Sequence, residues 1–220
     1  MMKLTVVYDN EAKDDLQGGW GFSCFIETPG KNILFDTGWD GHLLLGNMGR
    51  LSISPQDADV LVLSHQHWDH MGGMTTFLNA SSGVEAYVPA GFSANLKKEI
   101  SSRCESLHEV KGSRDICKGV FTTGELGKEI KEQSLIVDSG RGLLVIAGCS
   151  HPGLAAILGA ASAFGEVTGI IGGLHDSKEY GLLAGMQLIG AGHCTAHKDR
   201  ILELYPDAFT DIFAGYVLEM

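Results

Sequence analysis

At 220 residues, 44% of them hydrophobic and 20% charged, the chain carries enough apolar material for one large core, which excludes a disordered polypeptide. Acidic residues outnumber basic ones by 27 to 16, and the formal net charge of -11 disfavours a nucleic-acid partner, because phosphate recognition needs a Lys/Arg surface. No apolar run is long enough to span a membrane, Met1-Met2-Lys3 leads directly into a strand pattern, and Cys24, Cys104, Cys117, Cys149 and Cys194 are too scattered for a disulfide framework. The expectation is a cytoplasmic protein with reduced cysteines that acts on a small molecule.

In chain order, residues 4–8 read as a short strand and 9–17, polar and acidic, as a surface loop. Strands over 20–28 and 32–35 are joined by a Pro29-Gly30 turn. Asp36-Thr37-Gly38 closes the second of them, either as a turn or as the wall of an active site. Apolar spacing predicts a helix over 42–50, and Ser54-Pro55-Gln56-Asp57 a turn or helix start. Val60-Leu61-Val62-Leu63 is an unbroken apolar run, the pattern of a strand buried on both faces. A helix over 74–80, a strand over 84–89 and a helix over 92–100 follow.

Segment 101–118 mixes charges and reads as a surface connection; its Cys104, His108 and Cys117 have no fourth ligand nearby to make a metal site. Strands are predicted over 120–123, 127–137, 143–147, 167–171, 186–191 and 212–218, and helices over 154–164, 177–183 and 196–204. No linker or composition break divides the chain, so one domain over 1–220 is expected, with two sheet-plus-helix halves parting near Gly124.

The chemistry concentrates at strand ends. Apolar strand, small residues, histidine, helix: this order recurs at His65, His151, His175 and His193. In open α/β sheets, ligands gather beyond the carboxyl ends of strands. After Val60–Leu63 comes His65-x-His67-x-Asp69-His70, then Gly72-Gly73. So many imidazoles and a carboxylate serve no packing purpose, since each needs a hydrogen-bond partner or an ion. His65 and His67, two apart in extended chain, point the same way and can hold one cation, which His151 would complete. Asp69 and His70 follow a bend and can reach a second, which His193 would complete.

Three protein ligands and one open position per ion is the catalytic rather than the structural arrangement. A water held between two such ions loses a proton near neutral pH and becomes a nucleophile. The ions are expected to be divalent, zinc first, and the ligands alone do not separate zinc from iron or manganese. His197, four residues after His193, competes for its role. His42 and His108 read as surface residues, Cys149 and Cys194 as small apolar packing, and Trp68 as either pocket wall or packing.

His65-x-His67-x-Asp69-His70 with Gly72-Gly73 resembles the metal motif of the metallo-β-lactamase superfamily. Asp36-Thr37-Gly38, Ser64-His65, Gly148-Cys149-Ser150-His151-Pro152-Gly153, Gly172-Gly173-Leu174-His175 and His193-Cys194-Thr195 together are similar to one branch of it, that of the dihydropterin ribofuranosylaminobenzene phosphate synthases. The resemblance implies an α/β fold, a four-layer αβ/βα sandwich of two mixed sheets with helices on the outer faces and a dinuclear site at one edge. It also implies a metal-dependent hydrolase of a small-molecule ester, amide, lactone or phosphoester, with Asp69 and His175 as catalytic residues. The alternatives are a pterin-related synthase and an iron-dependent redox enzyme on the same ligands. One departure stands out. The bridging Asp of many superfamily members falls here on Gly172 or Gly173, so that His175, Asp176 or water alone takes its place.

Overall fold

Strands that are apolar on both sides must be covered on both sides, and this sequence satisfies them with four layers. The structure, a computed structural model, describes residues 2–220. A first sheet holds β1 (Lys3–Tyr8), β2 (Ser23–Glu27), β3 (Asn32–Phe35), β4 (Val60–Val62), β5 (Glu85–Pro89) and β6 (Ser106–Val110) in that order. A second holds β7 (Gly112–Cys117), β8 (Val120–Gly124), β9 (Leu135–Asp138), β10 (Leu143–Ala147), β11 (Val167–Gly173), β12 (Leu188–Gly192) and β13 (Phe209–Asp211). β14 (Val217–Glu219) then crosses back and pairs antiparallel with β1, so each sheet has seven strands.

Period-two alternation decides which side chain meets which layer. Val60 and Val62 face the second sheet, among Phe22, Ile26, Phe35, Leu135, Val137, Ile146 and Ile171. Leu61 and Leu63 face outward onto α1 (Gly41–Arg50), α3 (Met74–Ala80) and α4 (Ala94–Ser101) through Leu44, Met48, Phe77 and Ile100. On the far side, Val145, Ile170 and Ile189 are covered by Ile157 and Leu158 of α5 (Leu154–Ala161) and Ile201 of α6 (Lys198–Leu204). This is the αβ/βα sandwich of two mixed sheets that the sequence resemblance implied. Among the described residues, no helix is long and apolar enough to cross a membrane.

β3 to β6 run parallel, as do β10 to β13. The carboxyl ends of β3, β4, β10, β11 and β12 therefore supply the loops at one edge of the sandwich, and every histidine singled out at a strand end lies on one of those loops.

Five sequence expectations are corrected. Segment 101–118 is no surface connection: it contains β6 and β7, the edge strands of different sheets, and the chain changes sheet at Lys111. The halves thus part there, not near Gly124, and β14 belongs to the first sheet despite its late position. Only the end of 127–137 is a strand, because Glu132, Gln133 and Ser134 are buried in an irregular segment where the Glu132 and Gln133 side chains bond to other loops and strands. Of segment 212–218 only Val217 and Leu218 are strand, in β14; β13 ends just before it, in the other sheet. Finally, 177–183 forms only a 3-10 turn at Tyr180–Leu183.

Ile26 is fully buried between the sheets, away from the functional edge. Ile26→Ala should lower unfolding free energy by about 2–5 kcal/mol in urea titration, while leaving cation uptake unchanged.

Candidate metal centre

The first half of the site is organised by Asp36, a fully buried carboxylate at the tip of β3 with a left-handed φ of 55°. It accepts hydrogen bonds from the Ser64 backbone N–H (2.7 Å), the Ser64 hydroxyl (2.6 Å) and Nδ1 of His70 (2.7 Å). Asp36-Thr37-Gly38 is thus a turn whose first residue also aims the His70 ring. Because the Ser64 hydroxyl donates to Asp36, its oxygen is free to accept from Nδ1 of His65 at 2.9 Å. The network assigns the Nδ1–H tautomer to His65 and His70 and leaves both Nε2 lone pairs facing inward. His70 sits on the short helix α2 (Trp68–Met71), whose backbone is tied to β3 by Thr37 N–H donating to the His70 carbonyl at 2.7 Å.

The second half is organised by Glu132, also fully buried. Its Oε1 accepts from the backbone N–H groups of Cys149 (3.0 Å) and Ser150 (2.9 Å), and its Oε2 from that of His151 (2.9 Å). Three donors on one carboxylate fix the loop after β10. The loop after β12 is held from the first sheet. Asp9 accepts from the His193 N–H at 3.0 Å, and Asn10 Oδ1 lies 3.0 Å from His193 Nδ1. His193 therefore also turns Nε2 inward. Among the described residues, Asp36, Ser150, His175 and His193 are four of only six non-glycine positions with positive φ, so backbone strain is concentrated at this edge.

The inward atoms meet. His65 Nε2 lies 3.1 Å from His67 Nδ1, which lies 3.3 Å from His151 Nε2. His70 Nε2 lies 3.2 Å from His193 Nε2, which lies 3.3 Å from Asp69 Oδ2. Cys149 Sγ is 3.0 Å from His70 Nε2. Neutral imidazoles with Nδ1 protonated place bare lone pairs against each other in the His70–His193 contact, an arrangement that a proton or a metal cation between them relieves. The separations also match the edge of a tetrahedron of donors, about 3.3 Å for metal–nitrogen bonds of about 2.0–2.1 Å. Asp69, His70, Cys149 and His193 form one group able to hold an ion, and His65, Cys149 and His151 another.

Electrostatics agree with that fit. Asp9, Asp36 and Glu132 are all fully buried, and among the described residues none pairs with a Lys or Arg within salt-bridge distance. Burial pushes the Asp9 carboxyl up to about 7, and burial likewise raises Glu132 despite its three N–H donors. Burial and the neighbouring His67 and His175 push His151 down to about 4, so its imidazole is neutral and ready to ligate. Burial also lowers His65, but at His70 the Asp36 carboxylate outweighs burial and raises the imidazole.

All six predicted ligands, His65, His67, Asp69, His70, His151 and His193, come together. His175 stands at the rim, half exposed, its ring 5.0 Å from that of His151 and its Nδ1 3.1 Å from Asp176. His197 lies outside the cluster, caps α6 and approaches Tyr180. His108 is half-buried on β6, stacked on Tyr87. The polar loop expected over 9–17 begins with a buried carboxylate, and Cys149 lies among donor atoms rather than in apolar packing. No local signal marks Asp9, Asn10 or Glu132 as partners of residues 17 to 184 positions away.

Trp20, Trp39 and Trp68 are each more than half exposed. Trp20 lies edge-on to His193, with ring centroids 5.1 Å apart. Their loops touch through glycine: a Cβ on Gly72 would lie 2.2 Å from the Trp39 carbonyl oxygen and 2.6 Å from that of Trp68.

Glu132→Ala would strand three buried N–H groups. It should lower stability by at least about 2 kcal/mol in urea unfolding of the metal-free chain and weaken cation uptake measured by equilibrium dialysis.

Comparison with known proteins places these features in context. The family model of the metallo-beta-lactamase superfamily matches residues 19–162. The 7,8-dihydropterin-6-methyl-4-(beta-D-ribofuranosyl)-aminobenzene-5'-phosphate synthase of Methanocaldococcus jannaschii is 27% identical, over 92% of this chain and 90% of its own. A solved metal-dependent hydrolase of the beta-lactamase superfamily superposes with a TM-score of 0.79 at 22% identity, covering 100% of this chain and 99% of that one. A metallo-beta-lactamase fold protein from Bacillus subtilis gives 0.75 at 14% identity, over 100% and 99%. At these identities the solved structures speak for the fold alone.

Proposed function

The chain belongs to the metallo-β-lactamase superfamily, and from that membership we propose that it is a metal-dependent hydrolase of a small-molecule ester, amide, lactone or phosphoester. The observation that carries the proposal is the His70–His193 contact, two Nε2 atoms 3.2 Å apart with both Nδ1 atoms already engaged, beside the His65, His67 and His151 nitrogens at 3.1–3.3 Å. His65, His67 and His151 would hold one divalent ion and Asp69, His70 and His193 a second, zinc being the expected metal. Bound there, such ions acidify water and polarise the oxygen of the bond under attack.

The chain's own residues do the rest. Ser64, Asp36 and Asn10 fix the tautomers of three ligands, so none of these imidazoles must change tautomer when an ion enters. The Asp69 side chain is only partly covered: burial opposes ionisation, but the imidazoles of His193 and His70 beside it hold the carboxyl down to about 2. A carboxylate ionised in that position accepts a hydrogen bond from the attacking water and orients it. His175, at the rim beside His151, would meet the leaving group.

A second reading, a pterin-related synthase, is favoured by the 27% identity with the archaeal synthase over most of both chains and by the exposed indole of Trp20 beside His193. A flat heteroaromatic ligand needs such a stacking face. A thermal-shift screen with pterins and nucleosides separates the two: stabilisation by pterins favours the synthase, and its absence alongside turnover of esters or phosphoesters favours the hydrolase.

His67→Ala and Asp69→Ala should each reduce turnover to background while changing unfolding free energy by less than about 1 kcal/mol. Chelation should remove activity and zinc restore it; full turnover in a metal-free sample would end the proposal.

The histidine environments also set an order of acid release. A ligating imidazole must be neutral. The lowered His151, near 4, keeps its group competent well below neutrality, whereas protons compete for the raised His70 at higher pH. On stepwise acidification a metal-sensitive dye should therefore detect two waves, the earlier one missing in His193→Ala.

A further inference from the structure

We infer that Cys149 is the ligand common to both donor groups, its sulfur shared between the two ions as a thiolate. This deepens the two-ion site proposed above and rests on it. Cys149 Sγ lies within 4.8 Å of the donor atoms of Asp69, His70 and His193, and also of those of His65 and His151. It is the single side chain that belongs to both groups. Its place is fixed rather than incidental. The residue is 3% exposed, its N–H is held by Glu132 at 3.0 Å, and it stands at the tip of β10 between the ligands of the two sheets. Its nearest polar contacts are a ligand nitrogen, His70 Nε2 at 3.0 Å, and the sulfur of Cys194 at 3.3 Å, which donates to it. A cysteine kept only for packing would be surrounded by carbon.

No carboxylate competes for this position. Asp69 falls in one group only. Asp36 is engaged by Ser64 and His70 Nδ1. Asp176 is 80% exposed and paired with His175. The tip of β11 is closed to any side chain. A Cβ on Gly173 would lie 2.6 Å from Cys194 Sγ and 2.4 Å from the Gly148 carbonyl oxygen, and one on Gly172 would lie 2.0 Å from that of Ala147. The sulfur of Cys194 thus fills the space in front of Gly173, and that of Cys149 takes the shared position.

Loading the ions breaks the Cys149 S–H bond. The proton leaves to solvent and the electron pair stays on sulfur, with no change of oxidation state. The Cys194 S–H then donates to the thiolate. A shared thiolate also biases the choice of metal: zinc, iron(II) and cobalt(II) suit sulfur, whereas magnesium and manganese(II) prefer oxygen.

The test is made on the whole protein, loaded with cobalt(II) under reducing, oxygen-free conditions. Sulfur-to-cobalt charge transfer in the near ultraviolet should accompany uptake, vanish in Cys149→Ser and persist in Cys194→Ser. Should Cys149→Ser fold poorly, X-ray absorption on the zinc-loaded wild type decides without any variant. A shared sulfur gives one scatterer at about 2.3 Å per zinc; a terminal one gives half that on average. Half occupancy, or ligand-field bands with no charge transfer, overturns the shared thiolate while leaving the two-ion site standing. Loss of the band in Cys194→Ser alone also overturns it. Failure of the protein to take up cobalt or zinc at all removes both.

Discussion

Three carboxylates, Asp9, Asp36 and Glu132, are removed from water without a Lys or Arg beside them, and the arrangement of this edge of the molecule follows from that constraint. An isolated buried anion is costly, so each must be saturated with hydrogen bonds. Each finds its donors on a loop that carries ligand candidates: Ser64 and His70 for Asp36, residues 149–151 for Glu132, and His193 for Asp9. The polar residues that would destabilise an ordinary core here fix the loops in strained conformations. The negative charge that these carboxylates carry when ionised favours positive ions in the space they surround.

The two sheets contribute unequally. The first supplies a contiguous set, His65 to His70, from one strand end and its short helix. The second supplies single residues from separate strand ends, Cys149 and His151 after β10 and His193 after β12. Asp9 and Asn10 reach from the first sheet to hold His193. The site is therefore a seam between the layers, and its geometry depends on how the sheets stack, through Phe35, Val62, Ile146 and Ile171.

What could be seen in the sequence and what could not divides along the same line. Val60–Leu63 and Leu143–Ala147 were legible because complete burial writes an unbroken apolar run, and His65-x-His67-x-Asp69-His70 because its groups are adjacent in sequence. β6 and β7 were not, because edge strands are half exposed and their mixed charges resemble a loop; β7 is exposed over its first four residues. Glu132 was hidden because nothing within its own neighbourhood in the chain announces three hydrogen bonds to residues 149–151. The donor atoms around Cys149 are hidden for a related reason. A small residue after an apolar strand looks like packing until the opposite sheet brings His70 to it. Interactions set by tertiary closure leave no periodic trace in sequence.

The chain contains three tryptophans, and all of them border this one edge. Indole fluorescence from the intact protein thus carries no background from the interior of the sandwich. Trp20, lying against His193, is close enough for a paramagnetic ion in the neighbouring group to quench it. Emission intensity and colour become a built-in optical gauge of what enters and leaves the mouth, without any label.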